Sequence, residues 1–203
     1  MTGLVTVQIY PYRSDADIAV ARLGSDGIRA AVRVDNEGGL SPGFFTRFGV
    51  RVEVNADDLE DAYESLGIER VTLAREIVEA MFAHAVWAYP NEACGLLAMD
   101  VDGEVKMVLC LTNTDASEHR FTIDPVEHYG CVAFAEKLGW HIGGIFHSHT
   151  RSEAYPSDTD VGGGGDPSWL QVIVGPVVGA NPVVRAFRFG EGIVNEASVT
   201  VEP

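Results

Sequence analysis

His147-Ser148-His149-Thr150-Arg151-Ser152-Glu153-Ala154-Tyr155-Pro156-Ser157-Asp158-Thr159-Asp160 is the stretch on which the reading of this chain turns. It ends a β-like run that starts at Ile142. Successive side chains on a strand alternate faces, so His147 and His149 project to the same side and can bind one metal ion. A loop of seven residues, 150–156, brings the chain to Ser157. If Ser157 opens a helical turn, Asp160 three residues later lies on the same face and sets a carboxylate beside the hydroxyl. Two neutral imidazoles, one carboxylate and an open fourth position describe a catalytic zinc site rather than a closed structural one. With a single carboxylate ligand the ion keeps net positive charge, which lowers the pKa of a bound water toward about 7. A tetrathiolate site would not do this.

A water nucleophile also needs a proton acceptor that is not itself a ligand. Glu92, in Tyr89-Pro90-Asn91-Glu92-Ala93-Cys94-Gly95-Leu96-Leu97, is the leading candidate. Cys94 is read as a small buried residue. His84, His119, His128 and His141 are treated as structural or surface groups. Trp87, Trp140 and Trp169 are too scattered for a base-stacking platform.

Pro-Asn-Glu-Ala-Cys-Gly-Leu-Leu at 90–97, then His-Ser-His, seven residues and Ser-Asp-Thr-Asp, resembles the JAMM motif of the MPN-plus (Mov34/PAD-1-like) zinc metallopeptidases, over roughly residues 71–203. The resemblance implies that His147, His149 and Asp160 ligate one zinc ion per chain. It also implies that Glu92 acts as general base and acid, and that Ser157 hydrogen-bonds the developing oxyanion. His84-Ala85, Asn113 and Phe121-Thr122-Ile123-Asp124-Pro125 are supporting matches. The implied fold is α/β, a mixed curved sheet flanked by helices with a cytidine-deaminase-like architecture. The implied substrate is a ubiquitin-like or sulfur-carrier protein with an extended tail, commonly Gly-Gly, from which a lysine-linked protein or an amino acid is released. The short distance from Asp160 to residue 203 favours the prokaryotic type. Two other classes stay open: a scaffold that only binds its partner, and a non-haem iron enzyme, since two histidines and a carboxylate also hold Fe(II). One departure concerns the helix expected after Asp160. Val161 is followed by Gly162 to Gly165, and each interior glycine costs about 1 kcal/mol, so that helix should be short or absent.

Outward from the motif, Ala93–Met99 and Glu104–Thr112 read as a hairpin around Asp100–Gly103, and Pro125–Leu138 as a helix. Leu170–Val174, Val183–Phe189 and Ile193–Val201 read as strands. Leu73, Ile77, Val78, Met81, Phe82 and Ala85 recur at helical steps and predict an amphipathic helix from near Thr72. The boundary between an accessory domain, 1–68, and the metallopeptidase domain, 71–203, falls just before it. The accessory part predicts a small α+β module of βαββα order. It begins with a strand at Leu4–Tyr10 and a helix over Asp15–Leu23, capped by Ser14 and closed by Gly24 and Gly27. Strands follow at Ile28–Val34 and Phe45–Val54, separated by a turn-rich loop through Asn36–Gly43. A second helix, capped by Asn55 or Asp57, ends near Leu66-Gly67. Its Asp-Gly-Ile-Arg-Ala-Ala-Val-Arg-Val-Asp-Asn and Val-Arg-Val-Glu-Val-Asn-Ala-Asp-Asp-Leu stretches resemble a small family of bacterial signal-transducing domains. It holds no histidine or cysteine, which favours a partner-binding or regulatory role, with a purely structural appendage as the alternative.

Composition bounds the partners. Fourteen basic against 30 acidic residues give a formal charge of -16, which repels phosphate backbones and argues against nucleic acid. Three cysteines without a CxxC pair suggest neither a disulfide framework nor a thiolate zinc site. No signal-peptide pattern opens the sequence and no apolar run reaches the roughly 18 residues of a membrane span. A cytoplasmic protein that does not engage membrane is expected.

Overall fold

In the computed structural model, which describes residues 3–10, 12–34, 49–163, 166–179, 182–190 and 193–203, the alternating segment Leu4–Tyr10 forms strand β1. The chain divides into two units, Met1–Glu69 and Arg70–Pro203. The first unit continues with α1 (Arg13–Ser25), β2 (Ala30–Val34), β3 (Val50–Asn55) and α2 (Leu59–Leu66), the last preceded by a single 3-10 turn at Ala56–Asp58. Its antiparallel sheet has the order β1-β3-β2. Val50, Val52 and Val54 of the central strand are buried with Ala16, Ala19 and Leu23 of α1 and Ala62 of α2.

Three local expectations are corrected by the structure. Ser14 lies inside the first turn of α1 rather than at its cap. Tyr12 holds the extended N-cap position and no side chain caps it, while Arg13 and Asp17 pair across one turn at 2.8 Å. The helix also runs through Gly24 to Ser25, an interior glycine costing only about 1 kcal/mol, and closes at Gly27, which has φ 82°. Before α2, Asn55 stands at the cap of the 3-10 turn without a side-chain cap bond, Asp58 rather than Asp57 stands at the cap of α2, and the Asn55 amide reaches the Asp58 carboxylate at 3.3 Å. Gly67, with φ 66°, closes α2 in the left-handed conformation that favours glycine. The turn-rich loop at 36–43 and the first part of the strand expected from Phe45 lie outside the described residues, and β3 begins at Val50.

The second unit opens with another correction. Residues expected to start a helix near Thr72 form a strand instead, β4 (Arg70–Ala74), and the helix is α3 (Arg75–Ala88). Val71 and Leu73 are buried between the more exposed Arg70 and Thr72, a period of two. Leu73 also stands four residues before Ile77, so the helical pattern of α3 extends back over the strand and hides the break. Then follow β5 (Cys94–Met99), β6 (Val105–Leu111), α4 (Pro125–Lys137), β7 (His141–Ser148), α5 (Asp158–Gly162), β8 (Leu170–Gly175), β9 (Val183–Gly190) and β10 (Ile193–Glu202).

The seven strands form one sheet in the order β4-β10-β9-β8-β7-β5-β6. It is mixed: β10–β4 and β7–β8 pair in parallel and the other neighbours antiparallel. One face carries Leu97, Phe146, Val172 and Val174 against Ile77, Val78, Met81 and Ala85 of α3. Full burial of a side chain such as Phe146 is worth about 2–3 kcal/mol. Alternation turns Leu96, Ile145, His147, Gln171 and Ile173 to the opposite face, aligned by the pairs Leu96↔Ile145, Ile145↔Gln171 and His147↔Ile173. Helix α4 lies on that face, its start fixed by Pro125 in the first turn and by Asp124, whose carboxylate accepts from the amides of Val126 and Glu127. Among the described residues no helix is long and apolar enough to cross a membrane.

Candidate metal centre

The C-terminal end of β7 carries His147 and His149 to one place. Their Nε2 atoms are 3.2 Å apart. Asp160 completes the group: its Oδ1 lies 3.3 Å from His147 Nε2 and its Oδ2 lies 3.4 Å from His149 Nε2. One potential ligand atom from each residue lies within 4.8 Å of the others. His147 is 1 % exposed and His149 4 %.

Each member is aimed by its own partners. His149 Nδ1 donates to the carbonyl of Glu153 at 2.6 Å, with Ser152 Oγ at 3.2 Å, which turns Nε2 toward the cluster. Phe121 stacks on the His147 ring at 4.8 Å between centroids. Asp160 is the third residue of the short helix α5. Ser157 caps that helix, its Oγ accepting from the Asp160 amide at 3.2 Å, while Asp160 Oδ2 accepts from Ser157 N at 2.7 Å and from Ser157 Oγ at 2.6 Å. The capping box that starts the helix thus also sets the carboxylate. Gly175 ends β8 against His149: a Cβ there would sit 2.8 Å from the His149 carbonyl oxygen and 3.1 Å from its Cβ, so only glycine lets the two backbones approach this closely.

Glu92 arrives from the next strand. Cys94 pairs with His147, and Ala93 and Ser148 exchange bonds, Ala93 N to Ser148 Oγ at 2.8 Å and Ser148 N to Ala93 O at 3.0 Å. This register sets Glu92 alongside His149. Its backbone is held by the loop before α4: Glu92 N donates to Ser117 O, and its carbonyl accepts from Asn113 Nδ2 at 3.0 Å. Asn113 organises the same loop by donating to Arg120 O and accepting from the amides of Asp115 and Thr122. The Glu92 side chain is buried, and Oε2 has no hydrogen-bond partner.

The electrostatics follow from burial and contact. Burial pushes the Glu92 carboxyl up to about 8; His149 opposes this and the Asp160 charge adds to it. Burial would also raise Asp160, but hydrogen bonds from His147, His149 and Ser157 outweigh it and hold that carboxyl well below the usual range. Burial lowers His147. For His149 burial pulls down, yet its bonds to Asp160 and to the Glu153 carbonyl win, and its pKa is raised.

These residues fit a metal ion. His149 Nδ1 already donates to Glu153, so its Nε2 can serve Asp160 with a proton only when the ring is doubly protonated and charged. Two imidazole nitrogens and a carboxylate converge on one point, and His147 Nδ1 finds no acceptor. A divalent cation satisfies all three ligand atoms at once and leaves each ring neutral.

Sequence reasoning named the five side chains the fold brings together: Glu92, His147, His149, Ser157 and Asp160. It gave no role to Ser148, Gly175 or the Glu153 carbonyl. Asn113 and Phe121 stood only as flanking matches. Ser148 alone had a signal, its place between the histidines, which turns its hydroxyl to the opposite face of the strand.

A family model described as prokaryotic homologs of the JAB domain matches residues 74–190. The chain is 32% identical over 132 residues to the CysO-cysteine peptidase of Mycobacterium tuberculosis, covering 64% of this chain and 90% of that protein. It is 29% identical over 113 residues to the desampylase of Haloferax volcanii, covering 53% of this chain and 81% of that protein. Among solved structures, a protein from Desulfitobacterium hafniense known from its solution structure superposes with a TM-score of 0.61 at 37% identity, covering 65% of this chain and 92% of that one.

Proposed function

Because the chain belongs to the family of prokaryotic JAB-domain homologs, we propose that it is a zinc metallopeptidase that cuts a peptide or isopeptide bond after the C-terminal tail of a ubiquitin-like or sulfur-carrier protein. The observation that carries the reading is the convergence of His147, His149 and Asp160 beside a buried carboxyl with an unpartnered oxygen. The peptidase relative named for CysO-cysteine supports the substrate class.

His147 Nε2, His149 Nε2 and Asp160 would hold one zinc ion per chain. When bound, zinc supplies a Lewis acid that makes water acidic near neutrality and polarises a carbonyl. Glu92 Oε2 accepts the proton of the attacking water and returns it to the leaving amine, a task for which a carboxyl poised near neutrality is suited. The Ser157 hydroxyl, which donates to Asp160 Oδ2, would be the donor offered to the developing oxyanion. The burial of Glu92, His147 and His149 keeps bulk water from competing for these protons. The first unit, without histidine or cysteine, supplies partner binding or regulation rather than chemistry.

The test is elemental analysis paired with cleavage of carrier proteins bearing C-terminal extensions, for wild type and Glu92→Gln. One zinc per chain in both, with cleavage by wild type alone, is the expected result. Zinc without cleavage of any carrier supports a binding scaffold, and iron in anaerobically purified protein supports an iron enzyme.

A further inference from the structure

His149 is turned by its bond to the Glu153 carbonyl and Asp160 by the Ser157 hydroxyl, but Oε2 of Glu92 has no hydrogen-bond partner. A buried carboxyl without such a bond takes its place from the backbone that carries it. That backbone is gripped on both sides by one segment, residues 113–123, between β6 and α4. Glu92 N donates to Ser117 O at 2.8 Å, and Glu92 O accepts from Asn113 Nδ2 at 3.0 Å.

Asn113 is saturated. Its amide nitrogen also donates to the Arg120 carbonyl at 3.0 Å, and its Oδ1 accepts from the amides of Asp115 at 3.1 Å and Thr122 at 3.2 Å. A carboxamide has two hydrogens and two acceptor sites, and here every one is used. The bonds to Asp115, Arg120 and Thr122 tie the segment to itself; the bond to Glu92 ties it to the proton acceptor. The segment reaches the ligands as well. Phe121 stacks on His147, Thr150 beside His149 donates to Glu118 O at 3.4 Å, and Arg120 and Phe121 line a cavity of about 370 Å³ that Asp160 shares.

Between the two grips stands Ala116 with φ 44°, among the described residues the one non-glycine in the left-handed region. Its amide donates to Asn113 O at 3.2 Å, which closes a tight turn and brings Ser117 O onto Glu92 N. A side chain is strained in that region, and such strain persists only where the surrounding structure over-determines it.

We propose that Asn113 is a positioning residue: with the turn through Ala116 it fixes the backbone of Glu92, so that the proton acceptor keeps its place beside the metal centre. The inference rests on the peptidase reading for what Glu92 does, and on the hydrogen bonds alone for how it is held. A residue that only shaped the loop would need the bonds to Asp115, Arg120 and Thr122 and would have no use for the one to Glu92.

The experiment follows amide hydrogen exchange by NMR in the full-length protein in chelator, then zinc content and carrier cleavage, for three variants. Asn113→Asp keeps both acceptor bonds and loses both donors. It should speed exchange of the Glu92 amide about tenfold, the worth of one neutral hydrogen bond, and leave the Leu96 and Leu97 amides unchanged. Ala116→Gly removes the strain and should slow Glu92 exchange about threefold. Thr114→Val, which removes a hydroxyl bond to Thr122 O elsewhere in the segment, should leave it unchanged. On carriers bearing C-terminal extensions, Asn113→Asp should keep its zinc and lose about 10–100-fold in kcat, with KM within about twofold of wild type. An unchanged Glu92 amide in Asn113→Asp, or the same acceleration in Thr114→Val, overturns the proposal whether or not a carrier is cut. So does a loss of cleavage that comes with loss of zinc or through KM alone. Where Asn113→Asp does not fold, Ala116→Gly decides, and Glu92 exchange that fails to slow overturns the clamp. Exchange as expected with no carrier cut by wild type overturns the peptidase reading and leaves the clamp standing.

Discussion

Removing the charge of Glu92 is expected to stabilise the metal-free protein even as it abolishes hydrolysis. The carboxyl is 5 % exposed, its Oε2 lacks a partner, and burial raises its pKa from 4.5 to about 8. The folded state therefore holds this proton more tightly than the unfolded state. The resulting stabilisation is complete below the unfolded value and is lost as pH climbs through the folded one. At pH 7 the unfolded carboxyl is ionised and the folded one mostly protonated, so folding carries a penalty of about 3 kcal/mol, rising to about 5 kcal/mol above pH 9. Glutamine keeps the shape and does not titrate. In chelator, Glu92→Gln should melt about as wild type does near pH 4.5 and gain roughly 6–12 °C on it at pH 7, at about 2–4 °C per kcal/mol. Zinc should narrow the gap, because a cation beside Glu92 favours its charged form. Melting curves of both proteins from pH 4.5 to 9, with and without zinc, provide the assay. A difference between the two that stays constant with pH would refute the reasoning, since it would place Glu92 in water.

Three further outcomes follow from the packing around the site. Ser157→Ala removes the side-chain half of the capping box and the hydroxyl bond to Asp160 Oδ2 while keeping the backbone N–H bond to that carboxylate, so the fold should lose about 1 kcal/mol and zinc should bind 10–100-fold more weakly by competition with a chromophoric chelator. Gly175→Ala forces a methyl to 2.8 Å from the His149 carbonyl oxygen; a loss of about 1–3 kcal/mol in urea denaturation, together with weaker zinc binding, is expected. Arg185 pairs with both oxygens of Glu196 at 2.6 and 2.7 Å and lies over the rings of Tyr155 and Phe187, so Arg185→Ala should cost about 2 kcal/mol and raise the hydrogen exchange of residues 150–156.

The metal cluster was legible because its determinants are local. A two-residue period placed the histidines on one side of β7, and a three-residue step placed Asp160 over Ser157. The shortness of α5 also followed from its own glycines. What escaped depends on register between strands distant in sequence. That Gly175 must touch His149, or that Gln171 lies in line with Ile145 beside a cavity, follows from the β7–β8 ladder and from no property of either residue alone. The start of α3 was misread for a different reason. Leu73 satisfies a strand and a helix equally, and only pairing with β10 decides between them.

That pairing has a mechanical consequence. Strand β4 carries the chain into the second unit, and its five register pairs join it to β10 alone, Val71 to Val199 among them. Contacts so far apart in sequence close a long loop and are gained late in folding. Strand β7, which holds His147 and leads directly into His149, stands behind β10, β9 and β8. Tension arriving along the backbone from before Arg70 is thus borne first by the β4–β10 ladder and by Val71 and Leu73, which anchor that edge in the main core.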